Sequence, residues 1–226
     1  CALPIYSSCD VPATPVDRSL HGQTFLMKTA DCMVPVAVDT PVLPFVRDSL
    51  LATAVGLRYR VTPEVAARGI EAAGCVPGRV ERIDHGQDTP VFIDGPTTGH
   101  ALTATLASLR HLTAGRLVVV AEQQVAETIG DRPFRNRLDR WADELFVAPA
   151  GILDEHAGDA DILAYARLDR LLSGLQPEDC LLVLGRPPAD RRGPDGPDDG
   201  EWSIGHVVAG WLRVAHPPRD IPSGRR

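Results

Sequence analysis

Two side chains stand where a chain of this kind could do chemistry. In V-F-I-D-G-P-T-T-G-H-A-L, residues 91–102, Asp94 closes an apolar run, and a loop bracketed by Gly95 and Gly99 leads into helix-forming residues. A carboxylate at such a strand end can bind a ribose hydroxyl or orient a metal-bound water, and the loop can turn backbone N–H groups toward an anion. The same aspartate can instead do no more than cap the turn. In C-L-L-V-L-G-R-P, Arg186 follows a second apolar run and offers one cation, either a substrate contact or a solvated surface group.

These positions matter only if the runs before them are strands of one sheet. From Val76 onward the rhythm is strand, loop, helix. Strands are expected at 80–83, 90–94, 116–120, 145–147 and 180–185. Helices are expected at about 100–112, at 133–144 with Asp131 as cap, within 159–175, and at 203–215. The apolar runs lack polar alternation, as parallel strands covered on both faces do. The expected fold class is therefore α/β, a Rossmann-like three-layer domain with a mostly parallel sheet, whose ligands gather at the carboxyl ends of the strands. Of those ends, A-E-Q-Q-V-A after Val120 has no glycine to let a phosphate approach, and A-P-A-G-I after Val147 has no charged or amide group.

Before that domain, T-F-L-M-K-T (24–29) and C-M-V-P-V-A-V-D (32–39) predict an antiparallel hairpin, with Pro35 marking an edge strand. Two helices follow, one from Asp48 or Ser49 to Leu57 and one opened by Thr62-Pro63 and closed by Gly74. Residues 1–23 fit no element and are left unassigned or as linker. The segment 187–201, rich in Pro, Gly and Asp, is expected to be a mobile loop, and 217–226 a frayed tail.

Composition narrows the function classes. Thirty acidic residues against 23 basic ones give a net charge of −7, with no basic stripe, so nucleic acid is not an expected partner. No apolar run is long enough for a membrane span. Five scattered cysteines without C-x-x-C suggest neither zinc nor a disulfide framework, and fit a reducing cytoplasm. The only lysine, Lys28, lies in F-L-M-K-T-A, so the chain has no Gly-x-x-x-x-Gly-Lys phosphate loop. It has no H-E-x-x-H and no G-x-S-x-G. A first residue Cys1 instead of methionine, without a secretory pattern, suggests a fragment of a longer protein.

The run C-V-P-G-R-V-E-R-I-D-H-G-Q-D-T-P-V-F-I-D-G-P-T-T-G-H-A-L, 75–102, resembles the junction between the central and C-terminal domains of the Mur ligase family, most of all its tripeptide-forming UDP-N-acetylmuramoyl-alanyl-glutamate branch. The resemblance implies that residues 24–76 end the central ATPase domain as a hairpin-plus-helices remnant, and that 77–216 form the C-terminal domain. It implies ATP and Mg2+ as cofactors of the complete protein, with a UDP-N-acetylmuramoyl peptide, an amino acid and the missing upstream ATPase domain as partners. Arg79 matches the family arginine that reaches ATP phosphate and Asp94 the aspartate that helps hold the nucleotide; an ion pair of Arg79 with Glu81 or Asp84 is the structural alternative. No catalytic residue and no metal ligand is assigned in this chain. The family's histidine after the aspartate is replaced within Pro96-Thr97-Thr98, its glycine-rich loop is absent at 121–126, its D-N-P-R clamp is absent after Val147, and its final G-K-G-H-E is reduced to Gly185-Arg186-Pro187-Pro188. Two functions follow as expectations: the C-terminal part of an ATP-dependent amide-forming ligase of peptidoglycan synthesis, inactive as this chain alone, or a degenerate homologue kept for binding or scaffolding.

Overall fold

The computed structural model describes residues 11–30, 32–149, 159–185 and 203–216. Two sheets organise them. The first is antiparallel in the order β1 (Ala13–Ser19), β2 (Gly22–Lys28), β3 (Met33–Val38). The expected hairpin is β2 and β3, paired Phe25 to Val36, and β3 with Pro35 lies at the edge. Strand β1 corrects the reading of residues 13–23 as unassigned. It was hidden because A-T-P-V-D-R-S does not alternate: Pro15 removes a donor, and the register slips between Pro15 and Asp17, leaving Val16 bulged outward. Gly22 permits the tight return, because a Cβ there would stand 2.4 Å from the Val38 carbonyl oxygen.

The inner face of this sheet, through Phe25, Met27, Val36 and Val38, packs on α1 (Leu43–Arg58) and α2 (Pro63–Ala73) by way of Val46, Leu50, Ala67 and Ile70. Helix α2 starts and stops as its sequence predicts, with the Thr62 hydroxyl accepting from the Val65 N–H and Gly74 at its end in a positive-φ conformation. Helix α1 begins at Leu43 and not at Asp48. Proline in its first turn opens it without a side-chain cap, and Asp48 and Ser49 are interior residues.

The second sheet runs β4-β5-β8-β6-β7, built from β4 (Glu81–Ile83), β5 (Val91–Asp94), β6 (Leu117–Glu122), β7 (Glu144–Ala148) and β8 (Cys180–Leu184). All neighbours are parallel except β4, which pairs antiparallel with β5. Helices α3 (Gly99–Leu112), α4 (Gln123–Ile129) and α5 (Asp131–Trp141) contribute to the layer on one face, where Phe92, Val119 and Leu182 meet Leu102, Leu106, Phe134 and Leu138. On the other face Ile93, Val120 and Val183 meet Leu168 and Leu172 of α6 (Asp159–Ser173) and Val208 and Leu212 of α7 (Ile204–Ala215). Both faces of β5, β6 and β8 are thus lined by buried apolar side chains, each contributing roughly 1.5–3 kcal/mol of burial. This is the mostly parallel three-layer domain that the runs predict.

Helix α4 was not expected; it rises directly from β6, and Gly130 (φ 92) separates it from α5, which starts at Asp131 and not at Pro133. Within the first unit the Gln23 side-chain amide donates to the carbonyls of Thr40 and Val42, each at 2.9 Å, and Val42 and Phe45 join this unit to the second by packing against the α3 layer. Among the described residues no helix is long and apolar enough to cross a membrane.

Cys180 opens the central strand and is fully buried, and burial pushes its thiol up to about 12, against the lowering effect of Thr113 and Arg110. Iodoacetamide at neutral pH should therefore leave Cys180 unmodified in the native protein and alkylate it on unfolding. Peptide mass mapping with and without urea checks this, and native labelling at the rate of Cys75, which is only half buried, would contradict it.

Candidate functional site

Register sets the site. Asp94 and Ala121 both pair with Leu184, so the ends of β5, β8 and β6 lie level, and the next residues, Gly95, Gly185 and Glu122, form one rim. Facing it is the V-P-G-R turn. Pro77 and Gly78 occupy its two middle positions, Gly78 has φ 69, and the Arg79 N–H returns to the Val76 carbonyl at 3.0 Å. Glu81 accepts the Gly78 N–H at 2.8 Å, and the Gly95 N–H reaches the Gly78 carbonyl at 3.0 Å, so turn and rim are pinned together.

Between them lies a cavity of about 320 Å³, lined by Gly78, Arg79, Pro96, Thr97, Glu122 and Gln124 together with Gly95, Thr128 and Gly185. Arg79 is exposed on its wall and donates from Nη1 to the Gly95 carbonyl. Among the described residues it makes no ion pair with Glu81 or Asp84; Asp84 stands 4.0 Å from Arg82 instead. A guanidinium carries five N–H donors, so most of its hydrogen-bonding capacity remains for a ligand anion.

Asp94 does not face this cavity. It is only 4% exposed, and its Oδ2 accepts the Thr105 hydroxyl of α3 at 2.8 Å. Burial pushes its carboxyl above the usual carboxylate range; the hydrogen bond from Thr105, the nearby Val80 N–H, the Arg79 charge and the Gly95 N–H only partly oppose this. The loop after it caps α3 through Thr98, whose hydroxyl accepts the Ala101 N–H at 3.2 Å. Of the three predicted ligand residues, the structure brings Arg79 to the cavity and turns Asp94 toward a helix. Arg186 lies outside the described residues.

Glu122 was missed. Its Oε1 accepts the Ile204 N–H at 2.9 Å, the first backbone donor of α7, and it sits against Gly185 so closely that a Cβ there would meet its Cδ at 2.7 Å. A carboxylate at a helix N-terminus is favourable both as a hydrogen-bond acceptor and against the helix dipole. The available signal was a carboxylate immediately after an apolar run, at the same strand end as Asp94. The missing half was Ile204, 82 residues away. Among the described residues no group of three His, Cys, Asp or Glu side chains could hold a metal ion.

No protein-family model matches the chain. Among curated proteins it is 42% identical over 71 residues to the UDP-N-acetylmuramoyl-L-alanyl-D-glutamate–2,6-diaminopimelate ligase of Solibacter usitatus, covering 31% of this chain and 14% of that one. It is 33% identical over 116 residues to the corresponding ligase of Bacillus licheniformis, covering 51% of this chain and 24% of that one. The chain thus spans less than a quarter of the length of these relatives and is homologous to them over part of its own. Among solved structures, the UDP-N-acetylmuramoylalanyl-D-glutamyl-2,6-diaminopimelate–D-alanyl-D-alanyl ligase of Acinetobacter baumannii superposes with a TM-score of 0.59 at 17% identity, over 79% of this chain and 41% of that one. The MurF ligase of Thermotoga maritima in complex with ADP gives 0.57 at 13% identity, over 79% and 43%. These superpositions show that the fold is shared.

Proposed function

We propose that this chain is the closing part of a Mur-type ligase, an ATP-dependent enzyme that joins an amino acid to a UDP-N-acetylmuramoyl peptide during peptidoglycan synthesis in the cytoplasm. The observation that carries the reading is the cavity at the strand ends with Arg79 on its wall, reached through the V-P-G-R turn on which the resemblance rests. In such ligases bound ATP supplies the activation of a carboxylate as an acyl phosphate, which an amine then attacks. The contribution of this chain is positional: Arg79 offers its free N–H groups to a phosphate oxygen, and Pro77 and Pro96 keep that wall rigid. Among the described residues no three His, Cys, Asp or Glu side chains could hold the ion, so magnesium would rest there on at most one or two carboxylates together with phosphate oxygens and water.

The purified 226-residue chain should release no ADP from ATP, because it has no lysine-bearing phosphate loop. Calorimetry with ADP should show weak binding that Arg79→Ala reduces at least about tenfold, the worth of one charge-assisted contact. Equal binding with and without Arg79 would overturn the reading. A non-catalytic homologue serving as a binding or scaffold module is favoured by one observation, that Asp94 and Glu122 both spend oxygens on the protein itself. An upstream reading frame lacking a Gly-x-x-Gly-Lys-Thr or Gly-x-x-Gly-Lys-Ser loop would decide for it.

A further inference from the structure

Two opposite charges share the cavity and do not pair. Among the described residues that line it, Arg79 is the one cation and Glu122 the one carboxylate. They form no ion pair with each other. Each is held to its own part of the rim. Arg79 Nη1 donates to the Gly95 carbonyl beyond β5. Glu122 Oε1 accepts the Ile204 N–H, and its Cδ stands 2.7 Å from where a Cβ on Gly185, beyond β8, would be. Strands β5 and β8 are neighbours, and the Gly185 N–H donates to the Asp94 carbonyl at 3.0 Å. The two anchor points therefore lie one strand spacing apart, about 4.8 Å. Among the described residues Glu122 Oε2 takes no hydrogen bond, and most donors of Arg79 are likewise unused.

The geometry points to Glu122 as a specificity-determining residue of this cavity. Arg79 takes the anionic group of a ligand, and the second oxygen of Glu122 takes an ammonium carried by the same ligand. The site thus selects an ammonium-bearing anion, an aminoalkyl phosphate or an α-amino acid, over an anion without one. The proposal rests on the reading of Arg79 as the anion contact and adds the group that chooses between anions. A ligand that is only an anion gains from Arg79 but is repelled by a carboxylate that the Ile204 N–H holds against Gly185. A ligand with an ammonium one or two carbons from its anion turns that repulsion into a charge-assisted hydrogen bond. The other polar side chains on the wall, Thr97, Gln124 and Thr128, carry no charge that would alter this balance.

The test uses two matched pairs, 2-aminoethyl phosphate against ethyl phosphate and glycine against acetate. Each is titrated into the full chain in metal-free buffer at neutral pH and read by the NMR shifts of the Gly95 and Gly185 amides. In at least one pair the ammonium-bearing member should bind the wild type about fivefold more tightly or better, the factor for one screened unit charge at contact distance. The pair that shows it identifies the anion as phosphate or carboxylate. Glu122→Gln keeps an acceptor for the Ile204 N–H and should erase the preference, weakening the ammonium-bearing member and tightening the other. Arg79→Ala should weaken both members alike. Should Glu122→Gln not fold, Gly185→Ala pushes the carboxylate aside without removing it and should reduce the preference in the same direction. A wild type without the preference overturns the proposal, as does a preference that survives these changes at Glu122 and Gly185. Equal binding of both members that Arg79→Ala weakens would remove the role of Glu122 and leave the Arg79 reading standing. A preference untouched by Arg79→Ala would remove that reading and the proposal with it. Binding of none of the four overturns the proposal, while ADP affinity still decides the Arg79 reading.

Discussion

Replacing Asp179 with alanine is expected to cost the fold roughly 2–4 kcal/mol, from two backbone donors left without partners at about 1–3 kcal/mol each. The carboxylate is 3% exposed and takes four hydrogen bonds. Oδ1 accepts the Arg116 N–H at 2.7 Å, and Oδ2 accepts Arg116 Nη2 at 2.7 Å, Arg116 Nε at 3.2 Å and the Gln176 N–H at 3.0 Å. Alanine would leave two backbone donors without partners and a guanidinium without its main counter-charge. The position tolerates no compensating bulk nearby, since a Cβ on Gly115 would fall 2.6 Å from Oδ1. Asp179 precedes β8, at the end of the sheet opposite the cavity, so the loss should appear in urea melts and leave the Arg79 site unaltered while the protein remains folded.

The pH dependence has a definite sign. Burial alone would push the Asp179 carboxyl up, but the Arg116 guanidinium with the Arg116 and Gln176 N–H groups outweighs it, and the group ends below its ordinary value. A carboxyl depressed in the folded state adds stability that is fully present above the unfolded value of about 3.9 and is lost as the pH falls through the folded one. Asp94 runs the other way. Its raised carboxyl means that ionisation costs stability near neutrality, and that cost falls away as acid protonates it in the folded state. Denaturation measured between about pH 7 and pH 3 should therefore show a shallower acid decline in Asp179→Asn and a steeper one in Asp94→Asn than in the wild type. Parallel profiles for all three would show that neither carboxyl is perturbed as its contacts require.

What could be read from the sequence, and what could not, follows from the range of the interactions. V-F-I, V-V-V-A and L-L-V-L announce strands buried on both faces because nothing polar interrupts them, and Thr62-Pro63 announces a helix because cap and first turn are adjacent. Strand β1 stayed hidden because its bulge breaks the alternation, and α1 because its start depends on proline geometry without a polar cap. The central place of β8, last of the strands in sequence, is a tertiary fact with no local signature. The site shows the same limit more sharply. A strand-end aspartate reads identically whether it faces a ligand or Thr105, eleven residues on, and only the packed position of α3 decides.

Glu122→Ala is expected to cost roughly 1–3 kcal/mol, the range for a hydrogen bond to a charged group, and the loss should concentrate on α7. The carboxylate serves the first N–H of that helix at 2.9 Å, and α7 covers one face of the sheet through Val208 and Leu212. Hydrogen exchange at Ile204 should rise by more than that of β6 itself. Glu122→Gln separates geometry from charge. Its amide oxygen can still accept the same N–H, so only the charge–dipole share, about 0.3–1 kcal/mol, should be lost. Removing that charge from the cavity wall should also tighten ADP binding, by about fivefold for one screened unit charge near a phosphate. Gly185→Ala probes the contact from the other side, because its Cβ would stand 2.7 Å from Glu122 Oε1 and 3.0 Å from Ile204 Cγ2 and must displace the carboxylate. The two losses should then add to less than their sum in Glu122→Ala/Gly185→Ala, since the first already removes what the second pushes aside. Full additivity would mean that the carboxylate and α7 are not coupled through Gly185. The rim of the cavity would then not be the single braced unit that the level ends of β5, β8 and β6 create.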